Sequence, residues 1–315
     1  MIKICFVSWH YQNTRVFLDT IIKMTPGLSG KWKNIEAVLD PNQADYVAIF
    51  DGSNDNIPNA DRKAIYFGQH PNCLPSFRKW EGLPALLKFD LGAYVNPGEW
   101  WITNSYDQLM ALQPPIKNNR LLCVCTGHTH TPMYRQRLTF LEEYCTKHKD
   151  LVLYGRPQEN YVTRTKLLPY YKGALGNKHP DGTKGEHLVG KEEVLLNSRY
   201  SLEFDVGPTI NYFSERFYDA LLLWAMPIYF GSNNVHNFMP AGSFRYFDQA
   251  NLNDVNEVHN IANSNIREDN LGIITHARDL LLNKYQMWAM VHHVVNNIGD
   301  YRRDQLATYN AWIAN

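Results

Sequence analysis

Seven apolar runs, each no longer than a strand, constrain this chain more than any other feature. They are KICFVSW (3–9), YVAIF (46–50), AIYFG (64–68), LLCVC (121–125), LVLYG (151–155), YSLEF (200–204) and PIYFG (227–231). Most are bounded by Gly, Asp, Asn or Pro, and helical patterns lie between several of them. Short runs without strict alternation belong to strands buried on both faces, and strands that alternate with helices pair in parallel. The expectation is an α/β fold. With 315 residues, 44% of them apolar, the chain has material for two cores.

The stretch LQPPIKNNR (112–120) divides the pattern. Pro114 and Pro115 end any helix, and KNNR reads as a solvated turn. A new βαβ unit follows: a strand at 121–125, the loop TGHTHT, a helix from about Pro132 to Lys147, and a strand at 151–155. The expected division is an α/β domain over 1–117, a second over 118–285, and a helical segment over 286–315 that packs back on the first domain. From about Arg267 the pattern is mostly helical, with breaks near 296–300. Two α/β halves that face each other place a cleft at the carboxyl ends of their strands, where such folds bind ligands.

Charge and cysteine content narrow the function. Lys plus Arg equals Asp plus Glu at 31 each, which argues against a protein whose main task is to hold nucleic acid by phosphate neutralisation. The five cysteines, Cys5, Cys73, Cys123, Cys125 and Cys145, are odd in number and fall mostly in apolar patterns, so they read as reduced core thiols. The N-terminal MIKICFVSWH reads as a first strand rather than a signal segment. No stretch approaches the ~18 apolar residues of a membrane span. A cytoplasmic protein is expected.

One stretch carries chemistry: NYFSERFYDALLLWAMPIYFGS (211–232). Ser214 is placed to cap a helix whose Phe217, Ala220, Leu221 and Trp224 share an apolar face. Pro227 is expected to stop it before a buried strand. Tyr212, Glu215 and Arg216 then lie at the helix start, where unpaired N–H groups favour an anion. A carboxylate beside that site accepts hydrogen bonds from vicinal hydroxyls such as a ribose diol, so Glu215 with Arg216 suits a nucleotide-sugar. The plain alternative is a capping glutamate beside a solvent-facing arginine.

This stretch, continued by NNVHNFMPAGSFRYFD, resembles the donor-binding signature of the α-1,3-fucosyltransferases, glycosyltransferase family ten. Tyr212, Ser214, Glu215, Pro227, Tyr229, Gly231, Phe238 and Pro240 stand in matching places, and Arg216 replaces the usual lysine. DLVLYGRP (150–157) and NSRYSLEFD (197–205) are weaker echoes. The resemblance implies two Rossmann-like domains facing across a cleft (GT-B), a GDP-sugar donor with no further cofactor, a glycan acceptor, and inversion at the transferred carbon. It implies donor contacts from Arg156, Asp205, Tyr212, Glu215 and Arg216. His128, in the loop expected to face the cleft, joins them.

The chain departs from the family where the family's base, a glutamate in the first domain, is expected. YFGQHPN carries Gln69 there, and its neighbour His70 is the group able to take a proton near neutral pH. Either His70 takes the role, or the alignment slips and another carboxylate serves, or catalysis is lost; His70 is the candidate base and Gln69 a candidate acceptor-orienting residue. Trp9, Tyr11, Trp100 and Trp101 are candidate acceptor contacts. The family's Phe-Glu-Asn is Phe204-Asp205-Val206, which puts fucose in more doubt than nucleotide-sugar binding. Cys123, Cys125, His128 and His130 lack the usual zinc spacing, and no metal is expected. Glu203 and Asp205 would become metal ligands only in a metal-dependent transferase. KHPDGTKGEH (178–187) reads as a lid or surface loop. Two rival readings remain: a transferase with another donor and an acceptor such as modified DNA bases, and a non-catalytic nucleotide-sugar or glycan-binding protein.

Overall fold

The computed structural model describes residues 1–53, 57–70, 84–125, 129, 131–155, 166–175 and 190–314. Two sheets form. The first contains β1 (Ile2–Ser8), β2 (Lys31–Trp32), β3 (Ile35–Ala37), β4 (Tyr46–Phe50), β5 (Ala64–Phe67) and β6 (Leu87–Phe89), in the order β2-β3-β1-β4-β5-β6. All its pairings are parallel except β2 with β3. The second contains β7 (Asn119–Val124), β8 (Leu151–Tyr154), β9 (Ser198–Phe204), β10 (Met226–Phe230) and β11 (Arg245–Tyr246), in the order β11-β10-β9-β7-β8, all parallel. Each sheet is Rossmann-like, and residues 112–118 between them carry neither helix nor strand.

Burial on both faces explains why the central strands read as continuous apolar runs. In β1, Ile4 and Phe6 enter the large core while Cys5 and Val7 enter a smaller cluster on the opposite face. Cys5, Cys123, Cys125 and Cys145 are buried free thiols, and Cys73 lies outside the described residues. The helix Pro132–Lys147 starts at the side chain of Thr131, which accepts from Tyr134 N, and stops at the extended residue His148.

The last helices are Met287–Asn296, Ile298–Arg303 and Gln305–Ala314. They pack on the first sheet. Trp288 donates to Ile21 O (3.0 Å) and lies on Phe6 (4.3 Å between centroids), and Gln305 donates to Lys88 O (2.7 Å). Among the described residues no helix is long and apolar enough to cross a membrane.

The carboxyl ends of the two sheets meet. Asn96, in the loop after β6, donates to Phe213 O (3.1 Å) and accepts from Phe213 N (3.1 Å), and its own N–H donates to Asn211 O (2.9 Å). Gly98 N donates to Tyr285 O (2.8 Å) and Gly98 O accepts from Met287 N (2.9 Å). The ring of Tyr218 fills the space where a side chain at Gly98 would stand.

Candidate functional site

In each sheet the strand order reverses beside the first strand, between β1 and β4 and between β7 and β9. The crevice outside such a point is where open α/β sheets hold ligands, because the loops diverge there. In the first sheet, three loops at this place deliver His10 after β1, Asp51 after β4 and His70 after β5.

Asp51 is fully buried and sits in the left-handed region (φ 57°). That conformation strains a residue with a Cβ, and it turns the carboxylate into the next loop. Oδ1 accepts from Gln69 N (2.6 Å) and His70 N (3.2 Å). Oδ2 accepts from His10 Nε2 (3.1 Å) and from His70 Nδ1. Burial, the largest influence, pulls the Asp51 carboxyl upward. The hydrogen bonds from His10, His70 and the Gln69 amide outweigh it and hold the group below its usual range, so it is a carboxylate. A carboxylate at Nδ1 fixes the proton there, and the lone pair of neutral His70 falls on Nε2.

The second half presents the helix Glu215–Leu222. Ser214 caps it, accepting from Arg216 N (3.3 Å). The helix ends at Leu222, five residues before Pro227. Trp224 turns the chain in the left-handed region (φ 65°), and Pro227 is the second residue of β10. The expectation that Pro227 stops the helix is thereby corrected.

Asp205 is buried and accepts from Ser214 N (3.3 Å) and Tyr229 Oη (2.5 Å), so it ties β9 and β10 to the cap. Burial raises its carboxyl, opposed by those two bonds and by Arg216. Arg216 donates to Phe204 O (3.0 Å) and lies 4.0 Å from Glu215. A second guanidinium, Arg137, is 1% exposed and reaches the same carbonyl (3.3 Å), with Nε and Nη1 unpartnered among the described residues. Arg216 also feels the carboxyl groups of Glu215, Asp205 and Glu203, so two guanidiniums and three acidic side chains share this strand end.

Glu99 joins the halves. This half-buried residue accepts from the exposed indole of Trp101 (3.1 Å) and lies within electrostatic reach of Glu215, Lys23 and His70. Burial raises its carboxyl, as does Glu215, against the opposite effects of Trp101, Lys23 and His70. Tyr212, also buried, feels Asp205, Glu215, Arg216 and Asp51 together.

His70, Gln69, Asp205, Tyr212, Glu215 and Arg216 therefore converge. Gln69 is buried, with its side-chain amide toward Pro97 O (3.5 Å). Trp9 lies tilted against His10 (4.2 Å between centroids, ring planes 32° apart), Tyr11 lies in reach of Glu99, and Trp101 is 52% exposed. Trp100 belongs to the core instead. It is 1% exposed and its indole donates to Asn104 O (2.9 Å), so it presents no face to an acceptor. Arg156, His128, His130 and the 178–187 loop lie outside the described residues. Sequence reasoning missed His10, Asp51, Glu99 and Arg137. The first three follow apolar runs or stand beside Pro-Gly, a position signal that was legible. Nothing local marks Arg137, which sits in mid-helix.

No protein-family model matches the chain, and no curated protein matches it. Solved structures do. A glycosyltransferase from Rickettsia africae gives a TM-score of 0.51 at 9% identity, over 96% of this chain and 98% of that one. An α1,3-fucosyltransferase with GDP gives 0.43 at 16%, over 91% and 92%. A DNA-modifying β-glucosyltransferase gives 0.46 at 11%, over the whole of both chains. At these identities the likeness concerns architecture: two Rossmann-like domains of the GT-B type, with a helical C-terminal segment.

Proposed function

We propose that this chain is an inverting glycosyltransferase that moves a sugar, fucose from GDP-fucose first, onto a hydroxyl of a glycan acceptor. The observation that carries the reading is the convergence of an Asp51-oriented imidazole with the Ser214–Glu215–Arg216 helix start, each at its own sheet's reversal point. In this scheme residues 1–117 hold the acceptor, 118–285 the donor, and 286–315 brace the first domain.

His70 Nε2 takes the proton of the acceptor hydroxyl as its oxygen attacks the anomeric carbon. The bond from that carbon to the diphosphate breaks on the opposite face, and its electron pair leaves with the nucleoside diphosphate. Arg216, the helix N-terminus and Arg156 stabilise the charge that develops. Tyr212 and Glu215 hold the nucleoside end. Trp9, Tyr11 and Trp101 offer apolar faces to an acceptor sugar.

The test is a thermal-shift screen against GDP-, UDP- and CMP-sugars, followed by nucleotide release from any donor that binds. GDP-fucose is expected to raise the melting temperature and to be consumed. Stabilisation by UDP-glucose alone would favour another donor, and binding without turnover under any acceptor would favour a binding protein.

A further inference from the structure

Orienting a base takes one imidazole, yet two converge on the same carboxylate oxygen. His10 Nε2 and His70 Nδ1 both meet Asp51 Oδ2, and one ligand atom from each residue lies within 4.8 Å of the other two. The three residues come from three separate strand ends, so no local motif imposes the arrangement. We propose that His10, Asp51 and His70 form a binding site for a zinc-like divalent cation, and that occupancy switches His70 out of its proton-accepting form. The switch, unlike the binding, rests on the functional reading given above.

Two imidazole nitrogens and a carboxylate oxygen are a borderline-soft set that suits Zn²⁺ or Co²⁺ and not Mg²⁺ or Ca²⁺. Tetrahedral bonds of about 2.0–2.2 Å put neighbouring ligand atoms roughly 3.3–3.6 Å apart. His10 Nε2 and Asp51 Oδ2 already stand at 3.1 Å, and His70 has to draw back from its contact with Oδ2. The histidine side chains keep 21% and 29% exposure, so neither ring is sealed from solvent. The Gln69 and His70 amides hold Oδ1, so Oδ2 is the oxygen turned toward both imidazoles.

The consequence for His70 is a matter of tautomers. Hydrogen-bonded to Asp51, the neutral ring carries its proton on Nδ1 and its lone pair on Nε2. With a cation on Nδ1, the same single proton moves to Nε2, and the ring has no lone pair left for an acceptor hydroxyl. Nothing is oxidised and no group is lost, so chelation reverses the change. A zinc-inhibited, chelator-activated enzyme results, whereas a metal-bridged donor would give the opposite response.

The test begins without substrate. Co²⁺ titrated into the intact protein should give tetrahedral d–d absorption that saturates at one equivalent and is displaced by Zn²⁺. His10→Gln should weaken Zn²⁺ binding, measured by calorimetry, on the order of 10²-fold, one ligand's share of a typical zinc affinity. His70→Gln gives the same reading if His10→Gln folds poorly. The half-buried group of His148, His259 and Asp150 is the competitor: His259 lies 3.2 Å from Asp150 and stacks on His148 (3.9 Å between centroids). His259→Gln should leave the cobalt spectrum unchanged. No tetrahedral spectrum in the wild type, or a spectrum lost in His259→Gln and kept in His10→Gln, overturns the site. In a turnover assay, saturating Zn²⁺ should suppress product and EDTA restore it. Stoichiometric binding with full turnover overturns the switch alone.

Discussion

Asp51→Asn separates the role of the carboxylate from that of the ring it holds. In the wild type, Oδ1 serves two backbone N–H groups and Oδ2 serves two imidazoles. The backbone groups only donate, so the asparagine oxygen must stay with them. Its NH₂ then faces His10 and His70, and His70 has to turn its lone pair to Nδ1 and its proton to Nε2. The residue is fully buried, so water does not repair the exchange. Shape and volume are kept, and the fold should survive with a loss of about 1–3 kcal/mol from weakened charge-assisted bonds. Transfer should fall by ~10²–10⁴-fold, the usual share of a positioned base, and His70→Ala should fall similarly. Because Asp51 acts only through His70, Asp51→Asn/His70→Ala should be no slower than His70→Ala. The assay is nucleotide release under saturating donor and acceptor, with donor affinity measured by calorimetry and expected to stay unchanged. Multiplicative losses in the double variant, or His70→Ala turning over like wild type, would refute the argument.

Other perturbations read other parts of the molecule. Glu215→Ala should cost donor binding about 1.5–3 kcal/mol with the fold intact, since its side chain is partly exposed at the helix start; unchanged calorimetric affinity would remove it from the site. EDTA should leave transfer at or above its starting rate, and a strict Mn²⁺ or Mg²⁺ requirement after chelation would instead make Glu203 and Asp205 ligands. Gly98→Ala would put a Cβ 1.9 Å from Tyr218 Cζ, and urea unfolding should show a loss of about 1–3 kcal/mol that a smaller residue at 218 partly relieves. A half-buried histidine and a buried glutamate set opposite pH trends. His293 is pushed down to about 4 by burial and then by His292 and Lys284, so its contribution is present above 6.5 and lost as pH falls through 4. Burial lifts Glu203 to about 7 against Lys191, so its contribution is present below 4.5 and lost as pH rises through 7. Melting temperatures across that range should drop less steeply toward acid in His293→Gln, and should rise above wild type only near pH 8 in Glu203→Gln.

By itself the sequence determined the alternation of elements, the seven main strands, the helix Pro132–Lys147 and the capped start at Ser214. These rest on local physics: apolar runs long enough to bury, side-chain oxygens placed to cap, prolines that forbid continuation. The tertiary structure alone decided the short strands β2, β3, β6 and β11, which have two or three residues each and exist only through pairing. It also decided the fate of neighbouring tryptophans, since Trp100 turns into the core and Trp101 out of it. The base and its partner divided in the same way. His70 was legible as a proton acceptor beside the expected position. That Asp51, 19 residues earlier, and His10, 41 residues before that, share one site with it was not. Nothing in a parallel sheet's local sequence records which strand ends lie side by side. That is set by strand order, which follows from how crossovers pack over the whole domain.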